Sequence, residues 1–131
     1  GVDLDPHLVA YLRRTRPELD IVEGDAADLR ELLAGRGIER ADAVVSGLPW
    51  ALLGERRQER VLAEISTLLG ADGVFTTFAY LHALPSRAAR TFHALLRSQF
   101  EEVFPTRCVW RNAPPAVTYV CRRAVRRGCG A

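Results

Sequence analysis

Methionine is absent from the whole chain, which opens at Gly1. Translation starts with methionine, so the expectation is a chain that was trimmed, truncated or taken from a longer one. Cysteine is scarce: Cys108, Cys121 and Cys129 are all there is, and their spacing fits no metal site. An odd number of thiols, with no secretion signal at the start, points to a reducing, cytoplasmic setting. No apolar run approaches the ~20 residues that a membrane helix needs. The net charge of +2 is too small to announce a nucleic-acid binder. No Ser–His–Asp set, carboxylate pair, internal repeat or low-complexity stretch stands out, and no interior domain boundary is visible. What remains is ordinary globular material: 131 residues, 48% hydrophobic and 26% charged, enough for one real core.

Taken in order, the chain alternates. Val2-Asp3 reads as a strand end. Asp5 is an N-cap and Pro6 a first helical residue, and Leu8, Val9 and Leu12 make one apolar stripe closed by Pro17. Leu19 to Glu23 reads as a strand, and Leu29, Leu32 and Leu33 as a short helix ended by Gly35 and Gly37. Ala41 to Ser46 is a strand. Val61, Leu62, Ile65, Leu68 and Leu69 fall on one helical face, with Gly70 as the stop. Gly73 to Ala79 is a strand, and Pro85-Ser86 opens a helix carrying Ala88, Phe92, Leu95 and Leu96. Glu101–Arg111 and Ala116–Arg122 are extended runs joined by Asn112-Ala113-Pro114-Pro115, a link too short for a parallel crossover. This pattern predicts an α/β fold: a Rossmann-like, mostly parallel sheet, covered on both faces, with a C-terminal antiparallel hairpin.

The stretch from Ala43 to Trp50 organises the rest. An apolar β-branched run rises to Ser46 and breaks into Gly47-Leu48-Pro49-Trp50. In open α/β sheets ligands sit at the carboxyl ends of strands, where this loop lies. Gly47 permits close backbone approach, Pro49 stiffens the turn, and Trp50 offers a flat face to an aromatic or cationic group. An ordinary strand-to-helix turn has the same composition.

Ser46-Gly47-Leu48-Pro49-Trp50 resembles the post-strand motif of class I S-adenosylmethionine-dependent methyltransferases that act on amines. It looks most like the bacterial phospholipid N-methyltransferases and the related rRNA adenine dimethyltransferases. In the latter an Asn precedes the Leu. Gly47 stands there instead, so the amide is missing. Gly1-Val2-Asp3-Leu4-Asp5-Pro6 looks like the second strand of that fold, whose acidic residue, here Asp3, binds the cofactor ribose; plain capping is the alternative. Gly24-Asp25-Ala26 resembles the adenine-binding loop, with the Asp25 carboxylate on the exocyclic amine and the Ala26 N–H on a ring nitrogen; a simple turn is the alternative. Asn112-Ala113-Pro114-Pro115-Ala116 resembles the same lipid-modifying enzymes, though a proline-stiffened hairpin loop needs no function. The resemblance implies S-adenosylmethionine as cofactor and no metal. Ser46 would border both cofactor and acceptor. Trp50, at the mouth of the pocket, would border the acceptor amine, with Ser46 and the Leu48 carbonyl orienting it. Tyr80 and Asn112 would face the same substrate. His82 reads as a solvated loop residue.

The resemblance covers Gly1 to Arg123, entering at the second strand, with residues 124–131 a basic flexible tail. The family's first strand and Gly-rich loop would lie before Gly1. Without them, the expectation is either a longer protein or closure of the flanking strands on each other. The chain alone is expected to be inactive and to bind the cofactor poorly. Three readings follow: methylation of a lipid headgroup amine, methylation of adenine in RNA through a flipped base on Trp50, or a non-catalytic Rossmann-like module that binds a nucleotide or a partner. Arg122, Arg123, Arg126 and Arg127 suit peripheral contact with an anionic membrane at its inner face, each contributing about 1 kcal/mol; a solvated tail is the plainer alternative.

Overall fold

The structure, a computed structural model, describes residues 1–125. Arg126, Arg127 and Cys129 lie outside the described residues. The order is β1 (Val2–Asp3), α1 (Pro6–Thr15), β2 (Val22–Glu23), α2 (Leu29–Ala34), β3 (Ala41–Ser46), α3 (Glu55–Leu68), β4 (Leu69–Tyr80), α4 (Arg87–Gln99), β5 (Phe100–Pro105) and β6 (Ala116–Ala124). The chain divides into two compact units, Gly1–Glu39 and the part from Arg40 onward.

In the first unit β1 and β2 pair in parallel. The Asp5 carboxylate caps α1 by accepting from the His7 N–H at 2.8 Å, with Pro6 in the first turn. Val9 is buried, and Arg13 donates from Nε and Nη2 to the Ile21 carbonyl at 3.1 and 2.9 Å. The expected strand from Leu19 shrinks to Val22–Glu23, because β1 offers only Val2 and Asp3 as ladder partners. Arg36 pairs with Asp20 across the loops of this unit.

In the second unit four strands lie in the order β3-β4-β6-β5. β3 and β4 are parallel, and β6 runs against both β4 and β5. Three strands therefore share one direction and one runs against them, as the sequence pattern predicts; that last strand lies between β4 and β5. α3 stops one residue early. Leu69 is in phase with the helix but turns extended to pair with Ala41, and Gly70 lies inside the strand rather than capping the helix. The register jumps from Ala41↔Leu69 to Ala43↔Val74, so residues 70–73 bulge. A Cβ at Gly70 would stand 2.5 Å from Arg40 Nη2, so a side chain there would displace the Arg40 guanidinium.

α3 and α4 pack together over the sheet face that carries Phe75 and Cys121. Val61, Leu62, Ile65 and Leu68 come from α3, Phe92 and Leu96 from α4, and Phe75 stacks on Phe100 at 5.8 Å. The opposite face differs from expectation. Val45, Thr76, Val120 and Phe104 form one row across it, and Val45 and Phe104 are exposed. Both helices of this unit serve the inner face. Arg122 and Arg123 belong to β6 rather than to a tail, and Arg123 pairs with Glu102 at 3.2 Å.

Candidate active site

Parallel pairing puts the carboxyl ends of β3 and β4 at one sheet edge, with Ser46 opposite Thr77. The loop between β5 and β6 emerges at the same edge, since Tyr80 pairs with Ala116 and the Leu81 N–H donates to the Pro115 carbonyl at 2.8 Å. Ser46, Leu48, Trp50, Tyr80 and Asn112 thus belong to one edge of one unit.

The segment after β3 is tied down atom by atom. Ser46 Oγ accepts from the Leu48 N–H at 3.2 Å, and the Leu48 carbonyl accepts from the Trp50 N–H at 2.9 Å. Trp50 Nε1 donates to Thr77 Oγ1 at 2.9 Å, and Thr77 Oγ1 donates onward to the Ser46 carbonyl at 3.2 Å. Gln58 Nε2 donates to the Trp50 and Leu53 carbonyls at 2.7 and 3.0 Å. Its Oε1 is buried without a hydrogen-bond partner. Strand β4 and helix α3 therefore hold the turn from opposite ends. A carbonyl and a hydroxyl each keep a second lone pair, so Leu48 and Ser46 can still accept from an amine N–H.

Trp50 corrects the sequence reading. It does not present an open face at a pocket mouth. It is 3% exposed, stacked on Phe92 at 4.6 Å and edge-on to Phe75 at 6.2 Å. An indole with an apolar slot and a buried acceptor for its N–H gains more inside than at the edge. Leu52, two residues on, is the exposed apolar side chain of this turn. Tyr80 is partly exposed, edge-on to Phe78 and stacked with His82 at 5.8 Å, so His82 has a ring partner. Asn112 is exposed and donates from Nδ2 to the Pro114 carbonyl at 2.7 Å. The hairpin link is longer than Asn112–Pro115. Pairing stops at Pro105 and resumes only as a single bridge between Val109 and Ala116.

In the first unit Asp3 and Asp25 also meet at a strand-end edge. Asp3 closes β1, pairs in register with Glu23, and its carbonyl accepts from the Gly24 N–H at 2.9 Å. Asp3 Oδ1 accepts from the Asp5 N–H at 2.9 Å. Asp25 caps the short turn Ala26–Asp28 by accepting from the Ala27 N–H at 2.9 Å. Both carboxylates are therefore fixed by backbone donors and half-exposed at one edge. That pair of acceptors fits an adenosine, whose ribose hydroxyls and exocyclic amine donate.

Thr77 and Gln58 were not singled out from sequence. Gln58 had a readable signal: it is a polar residue on the apolar face of α3, in phase with Val61, Leu62 and Ile65. Thr77 continues the inward alternation of Phe75 and had no local signal. Burial pushes the Cys121 thiol up to about 12, and burial, then Cys121, raises Tyr119. A thiol so placed is a core group. Among the described residues no cluster of His, Cys, Asp or Glu could hold a metal, and no helix is long and apolar enough to cross a membrane. A groove of about 490 Å³ at the opposite edge, lined by Arg40, Ser66, Gly70, Gln99 and Val125, is remote from these residues in the ladder.

No family model matches the chain. It is 34% identical over 124 residues to the ornithine lipid N-methyltransferase of Singulisphaera acidiphila, covering 92% of this chain and 60% of that protein. The chain thus spans about 60% of the length of this curated relative. Among solved structures it is similar to a TehB-like SAM-dependent methyltransferase from Corynebacterium glutamicum, with TM-score 0.64, 22% identity, and 94% and 66% of the two chains covered. It is also similar to the N-methyltransferase NodS of Bradyrhizobium japonicum, with TM-score 0.67, 9% identity, and 95% and 72% covered. A third is human methyltransferase-like protein 13 in complex with SAH, with TM-score 0.64, 17% identity, and 96% and 61% covered.

Proposed function

We propose that this chain, which has the Rossmann-like fold of the class I S-adenosylmethionine-dependent methyltransferases, belongs to an enzyme that methylates the amine of a lipid headgroup. The observation that carries this reading is the 34% identity over 124 residues to an ornithine lipid N-methyltransferase. S-adenosylmethionine would supply an electrophilic methyl group on a sulfonium, so the protein needs binding, alignment and a dry site more than a strong base. Asp3 would take ribose hydroxyls, and Asp25 with the Ala26 N–H would take the adenine edge.

On the acceptor side, Ser46 and the Leu48 carbonyl orient the amine through their remaining lone pairs. Trp50 acts from behind, as the anchor that fixes the Leu48 carbonyl. Tyr80 and Asn112 border the acceptor from the neighbouring strand end and the hairpin. A lipid-borne acceptor brings with it contact with a membrane surface, which the Arg-containing C-terminal part of the chain suits. Adenine in RNA is less favoured, because Gly47 supplies no amide and Trp50 has no free face on which a flipped base can stack.

The test is transfer of labelled methyl from S-adenosylmethionine by the whole protein to three acceptors: ornithine lipid, phosphatidylethanolamine and unmodified rRNA. Label in either lipid supports the reading and tells the headgroups apart. Label only in RNA, or in none, contradicts it.

A further inference from the structure

The loop between β5 and β6 carries a second tryptophan whose surroundings are the reverse of Trp50's. Trp110 is 71% exposed, and its neighbour Val109 is 53% exposed. Exposure here is not slackness. The Thr106 N–H donates to the Thr118 carbonyl at 2.7 Å, and Thr106 Oγ1 accepts from the Thr118 N–H at 3.1 Å. The Val109 N–H donates to the Ala116 carbonyl at 2.8 Å, and the Asn112 N–H donates to the Val109 carbonyl at 3.3 Å. The backbone on both sides of Trp110 is thus built, and it holds the indole outward. Arg107 and Arg111 flank the apolar pair, both exposed and neither paired with a carboxylate among the described residues. No Asp or Glu occurs anywhere after Glu102.

We propose that the Arg107–Arg111 tip is a docking element for the surface of an anionic lipid bilayer. Indole rings favour the headgroup level, where an apolar body meets a polar rim. Each guanidinium near an anionic surface adds attraction that falls off within a Debye length. The geometry gives the docking a purpose that rests on the proposed function. The loop leaves the sheet at the edge of Ser46 and Leu48, through the Tyr80–Ala116 rung and the Leu81–Pro115 hydrogen bond. A bilayer held by Trp110 therefore faces the acceptor edge of this unit, and a headgroup amine reaches it without the lipid leaving the membrane.

Co-sedimentation of the whole protein with vesicles tests this, using phosphatidylcholine alone and phosphatidylcholine mixed with phosphatidylglycerol. Neither lipid offers a methyl-accepting amine, so binding is read apart from catalysis. The protein should bind the mixed vesicles, more weakly as salt rises. Trp110→Ser should weaken that binding roughly tenfold by removing the apolar anchor. Arg107→Gln and Arg111→Gln should each weaken it about fivefold. Tryptophan emission should shift to the blue on mixed vesicles in the wild type, and not in Trp110→Ser, which retains Trp50. The variants touch exposed side chains, and an unchanged melting curve shows that they fold. Failure of the wild type to bind, equal binding by the variants, indifference to phosphatidylglycerol, or capture by single-stranded RNA in place of vesicles would each overturn the proposal. Lipid methylation with loop-independent binding removes the docking element and leaves the enzyme reading. Loop-dependent binding without lipid methylation does the opposite.

Discussion

Two loops leave the same sheet edge, and each carries one of the two tryptophans of the chain. After β3 the indole of Trp50 turns inward, 3% exposed, with Thr77 as acceptor and Phe92 as a stacking partner. After β5 the indole of Trp110 turns outward, 71% exposed. Proline, a small residue and an aliphatic stand near both, while Arg107 and Arg111 flank only the second. What separates them is what the elements behind supply. β4 and α4 present a buried hydroxyl and a ring to the first loop, so that loop becomes a fixed frame. The second is held by backbone hydrogen bonds and by the Thr106 and Asn112 side chains, with no hydrogen bond or ring contact to Trp110 itself among those described, which leaves the indole to meet something else.

The sharpest way to break this contrast is to truncate both rings. Trp50→Ala removes a packed indole and leaves Thr77 without its donor, so it should lower unfolding free energy by about 3–5 kcal/mol. Trp110→Ala should change it by no more than about 0.5 kcal/mol. Urea melts of the two variants check both values, and equal losses would erase the distinction. Gln58→Leu comes next. It removes the Gln58 donor from the Leu53 and Trp50 carbonyls, the latter keeping the Leu53 N–H, at a cost of about 2 kcal/mol, reduced because the unpartnered Oε1 goes too. The same melts read it.

A pH-dependent effect separates the thiols. Cys108 sits in the outward loop, half-exposed, and should react with a thiol reagent in the native protein. Cys121, fully buried in β6, should react only on unfolding. Cys121 has a native value of about 12 against 9.0 for the free thiol. Between these values the unfolded chain has lost a proton that the native state keeps. Stability should therefore fall as pH rises above 9 toward 12, and be insensitive to this group below 9. Cys121→Val should flatten the alkaline slope in part, leaving the share of Tyr119, which burial also raises.

Much of the fold was legible because periodicity decides it. The helical faces of α3 and α4 follow from apolar spacing; the last two strands do form a hairpin, although the link between them is longer than the one read from Asn112–Pro115. What escaped depends on partners distant in sequence. β2 is short because β1 ends at Asp3. Leu69 leaves the helix because Ala41 waits to pair with it. Trp50 lies buried because Thr77 and Phe92, on later elements, accept its N–H and its ring face. The strand-end positions of the candidates Asp3, Asp25 and Ser46 were legible because turn chemistry marks strand ends. The inward anchor was not, since a Pro-Trp pair looks the same whichever way the ring turns.

The frame around the Leu48 carbonyl is the centre of the account, and Thr77→Val probes it most directly. The change keeps shape and removes the one hydroxyl that links Trp50 Nε1 to the Ser46 carbonyl. Steady-state methyl transfer by the whole protein to an amine-bearing lipid is the measurement. We predict kcat lower by about tenfold or more, as expected when a positioned acceptor drifts. KM for S-adenosylmethionine should be unchanged, and Thr77→Ser should restore the rate because it keeps the hydroxyl. An unchanged kcat in folded Thr77→Val, or equal losses in kcat and cofactor binding, would contradict it.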